Sequence, residues 1–180
     1  MSTPDLEALK YPIGRFQRPA QIGAGDRAKA IEEIVVLPSR FRSAVDGLSD
    51  AQLDTPYRPG GWTVRDVIHH VPESHMNSFL RFKWALTEDR PTIKTYAEDA
   101  WAALGDYRVT PVGASLDLLD AIHRRWVPLL RMMDEEAWAR EFVHPEHGPI
   151  RLDVTAALYA WHGRHHLGHI KSLAAREGWR

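Results

Sequence analysis

The sequence predicts an all-α protein, a four-helix bundle with an extended N-terminal arm and short connecting helices. Four long segments have apolar residues spaced as on one face of a helix, and no segment of useful length alternates apolar and polar residues. The chain has 180 residues, of which 44% are hydrophobic. This length and composition are sufficient for the core of one domain.

The first 25 residues carry three prolines and three glycines. Residues 1–25 are therefore expected to form an extended arm ahead of a single domain at residues 26–180. The first long helix is predicted from Arg27 to Gly47, with a kink at Pro38 because proline removes a hydrogen bond inside a helix. A short turn is expected to follow at residues 48–54.

The second long helix is predicted after a loop rich in proline and glycine. Thr63 is a good N-cap residue, and the helix is expected to run to about Thr87. Pro72 lies inside this segment, so the helical phase after it is expected to be disturbed.

The pattern weakens between residues 88 and 113, which predicts a connection or lid containing a short helix around Glu98 to Leu104. Ser115 is expected to cap the third long helix. That helix is predicted to bend at Pro128 and to end near Met133.

The last part of the chain is predicted to hold one further helical turn, a loop and the fourth long helix. The turn is expected at residues 135–140 and the loop at residues 144–149. The helix is predicted to begin at Asp153 or Thr155 and to end at about Glu177, because Gly178 is a typical residue after a helix end.

Composition excludes several classes of function. The formal net charge is −1, so no basic surface is predicted to attract nucleic acid. Cysteine is absent, which excludes disulfides, thiolate metal sites and cysteine nucleophiles. Neither a signal peptide nor a membrane span is predicted, and a soluble, cytoplasmic protein is expected.

Four histidines near the C-terminus lie on one face of the last predicted helix: His162, His165, His166 and His169. Leu158 and Leu173 share that face, which indicates that it points inward. Buried histidines can simply be satisfied by neighbouring carboxylates or carbonyls. However, an i, i+4 pair lets two imidazoles bind one ion, and two such pairs are present, 162/166 and 165/169. The spacing favours a metal site without choosing between the pairs.

A third ligand is expected on a facing helix. On the second helix, His75 lies among apolar residues, whereas His70 is at the centre of a polar stripe that lines either a pocket or bulk solvent. The remaining histidines are expected at the surface or in an exposed loop and are left out of the site: His123, His144 and His147.

Several motifs resemble those of a known family. Residues 53–70, LDTPYRPGGWTVRDVIHH, and residues 74–83, SHMNSFLRFK, are similar to the YfiT branch of the DinB-like superfamily. The run WHGRHHLGHI at residues 161–170 and YPIG at residues 11–14 are also similar. The resemblance covers nearly the whole chain.

The resemblance implies a four-helix bundle that binds one divalent metal ion through His70, His162 and His166. It further implies a homodimer and a metal-dependent hydrolase, while relatives in the wider superfamily transfer small thiols such as bacillithiol or mycothiol. The chain departs from the family at Pro72 and at His169, where many members have glutamine. These departures are expected to affect the geometry of His70 and the surroundings of the pocket.

Three neutral imidazoles would leave a divalent ion an open coordination position, as in catalytic zinc sites. Such an ion lowers the pKa of a bound water or thiol. Zn²⁺ is the expected ion and Ni²⁺ the alternative.

Three functions are therefore considered. The protein could hydrolyse a small-molecule substrate, transfer a thiol to one, or bind the metal without catalysis. No catalytic acid or base is assigned, since Glu73 is more readily a solvated carboxylate than a general base.

Overall fold

The computed structural model of the chain describes residues 6–179. Its secondary-structure elements, in chain order, are α1 (Leu6–Lys10), α2 (Ala24–Val45), α3 (Asp50–Leu53), α4 (Val64–Thr87), α5 (Glu98–Ala102), α6 (Asp106–Val109), α7 (Val112–Arg131), α8 (Glu135–Ala139), β1 (Glu141–His144), β2 (Gly148–Arg151) and α9 (Leu152–Glu177).

The four long helices α2, α4, α7 and α9 form a four-helix bundle, as the sequence predicts. Helices α2 and α4 lie diagonally opposite each other, because each makes its main contacts with both α7 and α9. The most extensive of these contacts joins α2 and α9. This arrangement lets α4 and α9 present side chains to a common site.

The bundle core consists of two apolar clusters separated by polar side chains. On α4, one cluster takes residues up to Val71 and the other begins at Phe82. The division falls at corresponding places on α2, α7 and α9. Three histidines lie between the two clusters along their own helices: His75 on α4, His123 on α7 and His162 on α9.

Helix α4 begins where the sequence predicts. The Thr63 hydroxyl accepts a hydrogen bond from the backbone N–H of Asp66 at 3.1 Å, and the Asp66 carboxylate accepts one from the N–H of Thr63 at 2.9 Å. This reciprocal cap satisfies two N–H groups at the helix start. The helix continues through Pro72 to Thr87, as α2 continues through Pro38.

The predicted cap of the third long helix was wrong. Helix α7 begins at Val112, after Pro111, so Ser115 lies inside its first turns and is buried. The Ser115 hydroxyl is instead 2.7 Å from Nδ1 of His69 on α4. Proline with its fixed φ starts the helix, and the serine links two helices.

The chain also departs from the predictions in its arm and before α9. Residues 6–10 of the expected extended arm form helix α1, while residues 1–5 of the arm lie outside the described range. Most of the predicted loop at residues 144–149 belongs to an antiparallel hairpin in which Phe142 pairs with Ile150. Its strands have four residues each, too short for a period-2 pattern to be recognised.

Within residues 6–179, none of the helices has an apolar stretch long enough to cross a lipid bilayer.

Candidate metal centre

Three histidines from two helices converge at one point of the bundle. One ring nitrogen from each of His70, His162 and His166 lies within 4.8 Å of the other two. The Nε2 atoms of His70 and His162 are 3.4 Å apart. The structure therefore brings together the three residues that the family resemblance indicates as ligands.

The 3.4 Å between the Nε2 atoms of His70 and His162 matches the separation of two nitrogen ligands on one metal ion. Two nitrogen ligands of a tetrahedral zinc ion, each roughly 2.0–2.1 Å from the metal, are about 3.3–3.4 Å apart. A further nitrogen, Nδ1 of His166, is buried without a hydrogen-bond partner. The residues present thus fit a divalent ion held by nitrogen ligands.

Burial keeps the three imidazoles neutral near pH 7. It lowers the pKa of His70 to about 4. The pKa values of His162 and His166 are lowered well below the ordinary value, first by burial and then by the neighbouring histidines. A neutral imidazole has a free lone pair, which is the form that binds a metal ion.

A close helix contact determines the position of the two histidines on α9. Gly163 follows His162 and lies against Leu37 of α2, so that a Cβ atom at position 163 would clash with both Cδ atoms of Leu37. Glycine thus permits the approach of α9 to α2. The i, i+4 spacing then directs His162 and His166 to the same side of α9.

Two of the three histidines, His162 and His166, border an open cleft of about 420 Å³. Trp62 forms part of its wall, with its ring 4.6 Å from that of His70 and stacked at 6.1 Å on that of His166. The Trp62 indole N–H donates a hydrogen bond to Asp99, which lines the same cleft together with Glu98. The connection between α4 and α7 therefore contributes two carboxylates that the sequence analysis did not assign to the site.

The other i, i+4 pair on this face of α9, His165 and His169, lies against the N-terminal arm. The Nε2 atom of His169 lies 3.0 Å from the backbone carbonyl of Lys10, and its ring stacks on Tyr57. The His165 ring stacks on Trp161 and is 5.8 Å from Tyr11. His169 is thus a packing residue between the arm and the loop before α4.

Two histidines outside the predicted site, His75 and His123, lie beside it. The prediction that His123 is at the surface was wrong. His123 is 2% exposed, and its ring stacks on that of His75. Burial lowers the pKa of His123 to about 4. The sequence does contain a signal, since Leu119 and Trp126 precede and follow His123 on the same helix face, but the adjacent arginines obscured it.

The polar stripe around His70 packs against protein. The Glu73 carboxylate accepts a hydrogen bond from the Tyr107 hydroxyl at 2.5 Å, and burial raises its pKa. Asn77 donates a hydrogen bond to the Glu73 carbonyl. Glu73 is therefore held by α6 and is not the solvated carboxylate considered above.

A second group of metal-ligand side chains lies on the hairpin, where His144, Glu146 and His147 have ligand atoms within 4.8 Å of one another. Glu146 and His147 are exposed, and the Nδ1 atom of His144 already accepts the N–H of Glu146. The group lacks the burial found at His70.

A sequence profile of the DinB superfamily matches residues 33–170. The chain belongs to the DinB superfamily. Among its relatives, a Bacillus cereus protein named "putative metal-dependent hydrolase" is 52% identical over 174 residues, which cover 97% of this chain and all of the relative. A Geobacillus kaustophilus protein with the same description is 49% identical over 176 residues, 97% of this chain and 98% of its own.

Solved structures agree with this membership and with the predicted fold. YfiT from Bacillus subtilis, described as "a probable metal-dependent hydrolase with an unusual four-helix bundle topology", is 43% identical, with a TM-score of 0.93 over 96% of this chain and 99% of YfiT. A mycothiol-dependent maleylpyruvate isomerase is 18% identical, with a TM-score of 0.59 over 77% of this chain and 60% of its own. The latter likeness shows a shared fold.

Proposed function

We propose that this DinB-superfamily protein is a metal-dependent hydrolase of a small-molecule substrate, with His70, His162 and His166 as the ligands of one divalent ion. The observation that carries the proposal is the convergence of three neutral imidazoles, His70 and His166 buried and His162 half-buried, beside an open cleft. The names of its relatives in Bacillus and Geobacillus support the same activity.

A bound divalent ion would supply a Lewis acid that lowers the pKa of a coordinated water toward ~7. Nitrogen ligands suit both Zn²⁺ and Ni²⁺, and availability in the cell favours Zn²⁺. The three histidines would be neutral ligands, so they would leave the positive charge of the ion undiminished. Within the described chain, the group of ligand atoms at this position contains only three residues, so a bound ion would have a coordination position free for water or substrate.

The cleft supplies groups that can bind and orient a substrate. Trp62 presents an aromatic surface next to the ligands, while the Glu98 and Asp99 carboxylates lie along the cleft. The pKa of Glu98 is raised, mainly by burial and also by the charge of Asp99. A carboxylate with a raised pKa is a stronger base than an ordinary carboxylate.

Thiol transfer is the second candidate. The isomerase of similar fold depends on mycothiol, and a metal ion that activates water also deprotonates a bound thiol. A cleft of about 420 Å³ has the size of an ordinary small-molecule site. The two functions differ in their nucleophile, so they are separated by supplying or withholding the thiol.

The deciding experiment is turnover of an aryl ester and of monobromobimane by the Zn²⁺-loaded and Ni²⁺-loaded protein, with and without an added small thiol. Ester cleavage without thiol that disappears in His162→Ala is the expected result. Conversion that requires the thiol would replace hydrolysis with thiol transfer. Absence of turnover from a metal-loaded protein would favour metal binding without catalysis.

The homodimer implied by the family resemblance is retained as part of the proposal. Sedimentation equilibrium of the full chain tests it directly, and a mass of one 20.5 kDa chain would contradict it.

A further inference from the structure

A continuous series of contacts runs from the candidate metal centre across the bundle core. Nδ1 of His162 lies 3.3 Å from Nε2 of His75. Nδ1 of His75 lies 2.9 Å from Nε2 of His123, and Nδ1 of His123 lies 2.6 Å from the backbone carbonyl oxygen of Ile34. The series thus joins α9, α4, α7 and α2 in that order.

The last acceptor in the series is available because of a proline. In a regular helix, the N–H of residue 38 would donate to the carbonyl of Ile34, four residues earlier. Residue 38 is proline and has no N–H, so this carbonyl lacks its helical donor. The His123 ring supplies a donor in its place.

Counting protons gives the series one direction. A carbonyl only accepts, so Nδ1 of His123 must carry a proton, and in the neutral ring Nε2 is then an acceptor. His75 must donate to it from Nδ1, which leaves Nε2 of His75 to accept from Nδ1 of His162. Three neutral rings thus make three hydrogen bonds with three protons.

The same direction leaves one atom free, Nε2 of His162. This atom has a lone pair and faces Nε2 of His70 at 3.4 Å. A metal ligand needs its lone pair at such a position, and the partner of its other nitrogen determines the tautomer. The series therefore ends in the form that binds metal.

We propose that His75 and His123 are positioning residues that hold His162 with Nε2 directed at the metal ion. The inference rests on the proposed ligand role of His162. His75 contacts this ligand directly, whereas His123 acts through His75 and is anchored to the Ile34 carbonyl. Both rings are buried, His75 at 0% and His123 at 2% exposure.

The first test is the Zn²⁺ dissociation constant of full-length variants. His75→Leu should weaken Zn²⁺ binding by roughly 10-fold to 100-fold, as loss of a partner of a metal-bound histidine generally does. His75→Gln should recover part of the affinity, since the side-chain oxygen of glutamine can accept a hydrogen bond from Nδ1 of His162. His123→Leu should weaken binding less than His75→Leu.

The matched control is His69→Leu. His69 is also a buried imidazole on α4 that contacts α7, through Ser115, but it does not touch His162. Its substitution should lower the melting temperature and leave the Zn²⁺ dissociation constant unchanged. A His75→Leu variant that binds Zn²⁺ as tightly as the wild type, or no more weakly than His69→Leu, would overturn the proposal.

The second test uses the wild-type protein and does not depend on any variant that folds poorly. Long-range ¹H–¹⁵N NMR of the metal-free chain distinguishes the two histidine tautomers. His75, His123 and His162 should each carry their proton on Nδ1, and an Nε2 proton on His75 would overturn the proposal.

The two tests also separate this inference from the proposed function. Wild-type protein that binds metal and shows the three tautomers but has no turnover would contradict only the proposed hydrolysis. Metal binding that is lost in His162→Ala but unaffected in His75→Leu would contradict only the positioning role.

Discussion

The histidines of this chain differ in what their second ring nitrogen contacts, and that difference separates the proposed ligands from packing residues. His162 has Nδ1 directed at another imidazole and Nε2 at the candidate metal position. His169 uses Nε2 on the Lys10 carbonyl and stacks on Tyr57. Two residues of the same type on one helix face thus have different roles.

Substitution of the ligands should remove the metal. His70→Ala, His162→Ala or His166→Ala should each greatly weaken metal binding, because two remaining imidazoles hold a divalent ion poorly. His165→Ala is the matched control, since its ring stacks on Trp161. Elemental analysis of the purified variants measures the effect. Equal metal content in His165→Ala and His166→Ala would contradict the assignment.

His123 should make the metal-free protein sensitive to mild acid. Its pKa is about 4 in the folded chain, below the ordinary value of 6.5. The unfolded chain therefore binds the proton first, and stability contributed by the neutral ring is present above pH 6.5 and lost as the pH falls toward 4. The full slope for one histidine is about 1.4 kcal/mol per pH unit.

Urea unfolding of the metal-free protein between pH 7.5 and 5 measures this dependence. The free energy of unfolding of the wild type should decrease as the pH is lowered from 7.5 to 5. The decrease should be less steep in His123→Leu, which lacks one of the titrating rings. Equal slopes for the two proteins would show that His123 is not held neutral by the fold.

At the scale of the helices, prolines and glycines determine how the bundle elements approach one another. Pro38 and Pro72 lie within continuous helices, although proline usually interrupts one. In α2 the missing N–H leaves the Ile34 carbonyl for His123. The proline therefore creates an attachment point between α2 and α7.

Gly163→Ala should destabilise the protein although alanine is the better helix former. The added Cβ would clash with Leu37, which is 2% exposed and has little room to move. Overpacking of a core generally costs about 1–3 kcal/mol, more than the roughly 1 kcal/mol gained in helix propensity. Urea unfolding should show a net loss of stability. Metal binding should also be weaker, because His162 directly precedes this contact.

Gly113→Ala is the matched control within a helix. A Cβ at position 113 of α7 would meet no atom within 4 Å. The substitution should therefore leave the free energy of unfolding unchanged or raise it by up to about 1 kcal/mol. Stabilisation by both substitutions would show that α2 and α9 do not pack as closely as described.

At the scale of the whole molecule, one metal ion would join α4 and α9, two neighbouring helices of the bundle. Zn²⁺ at about 100 times its dissociation constant should stabilise the folded chain by about 2.7 kcal/mol. For a domain of this size, that corresponds to a rise of roughly 5–10 °C in melting temperature.

Differential scanning calorimetry with and without a chelator measures this stabilisation. His162→Ala should show no change in melting temperature on chelation, since it lacks a ligand. An equal shift in the variant and the wild type would place the bound metal elsewhere in the molecule.

The sequence by itself determined the number and type of the long helices, the cap at Thr63 and the i, i+4 spacing of His162 and His166. Each of these depends on neighbours within a few residues along the chain, where helix geometry applies directly. The family motifs added the choice of His70. The cap of α7 and the short hairpin were missed, because proline at the helix start and four-residue strands leave weak local signals.

Only the tertiary structure decided which rings face one another. Helical periodicity gives the angle of a residue around its own helix, and it does not give the rotation or axial shift of one helix against the next. The position of His123 beside His75 depends on both. Pro38 likewise indicates from the sequence that the Ile34 carbonyl lacks a helical donor. Only the packing of α7 against α2 decides that a histidine donates a hydrogen bond to it.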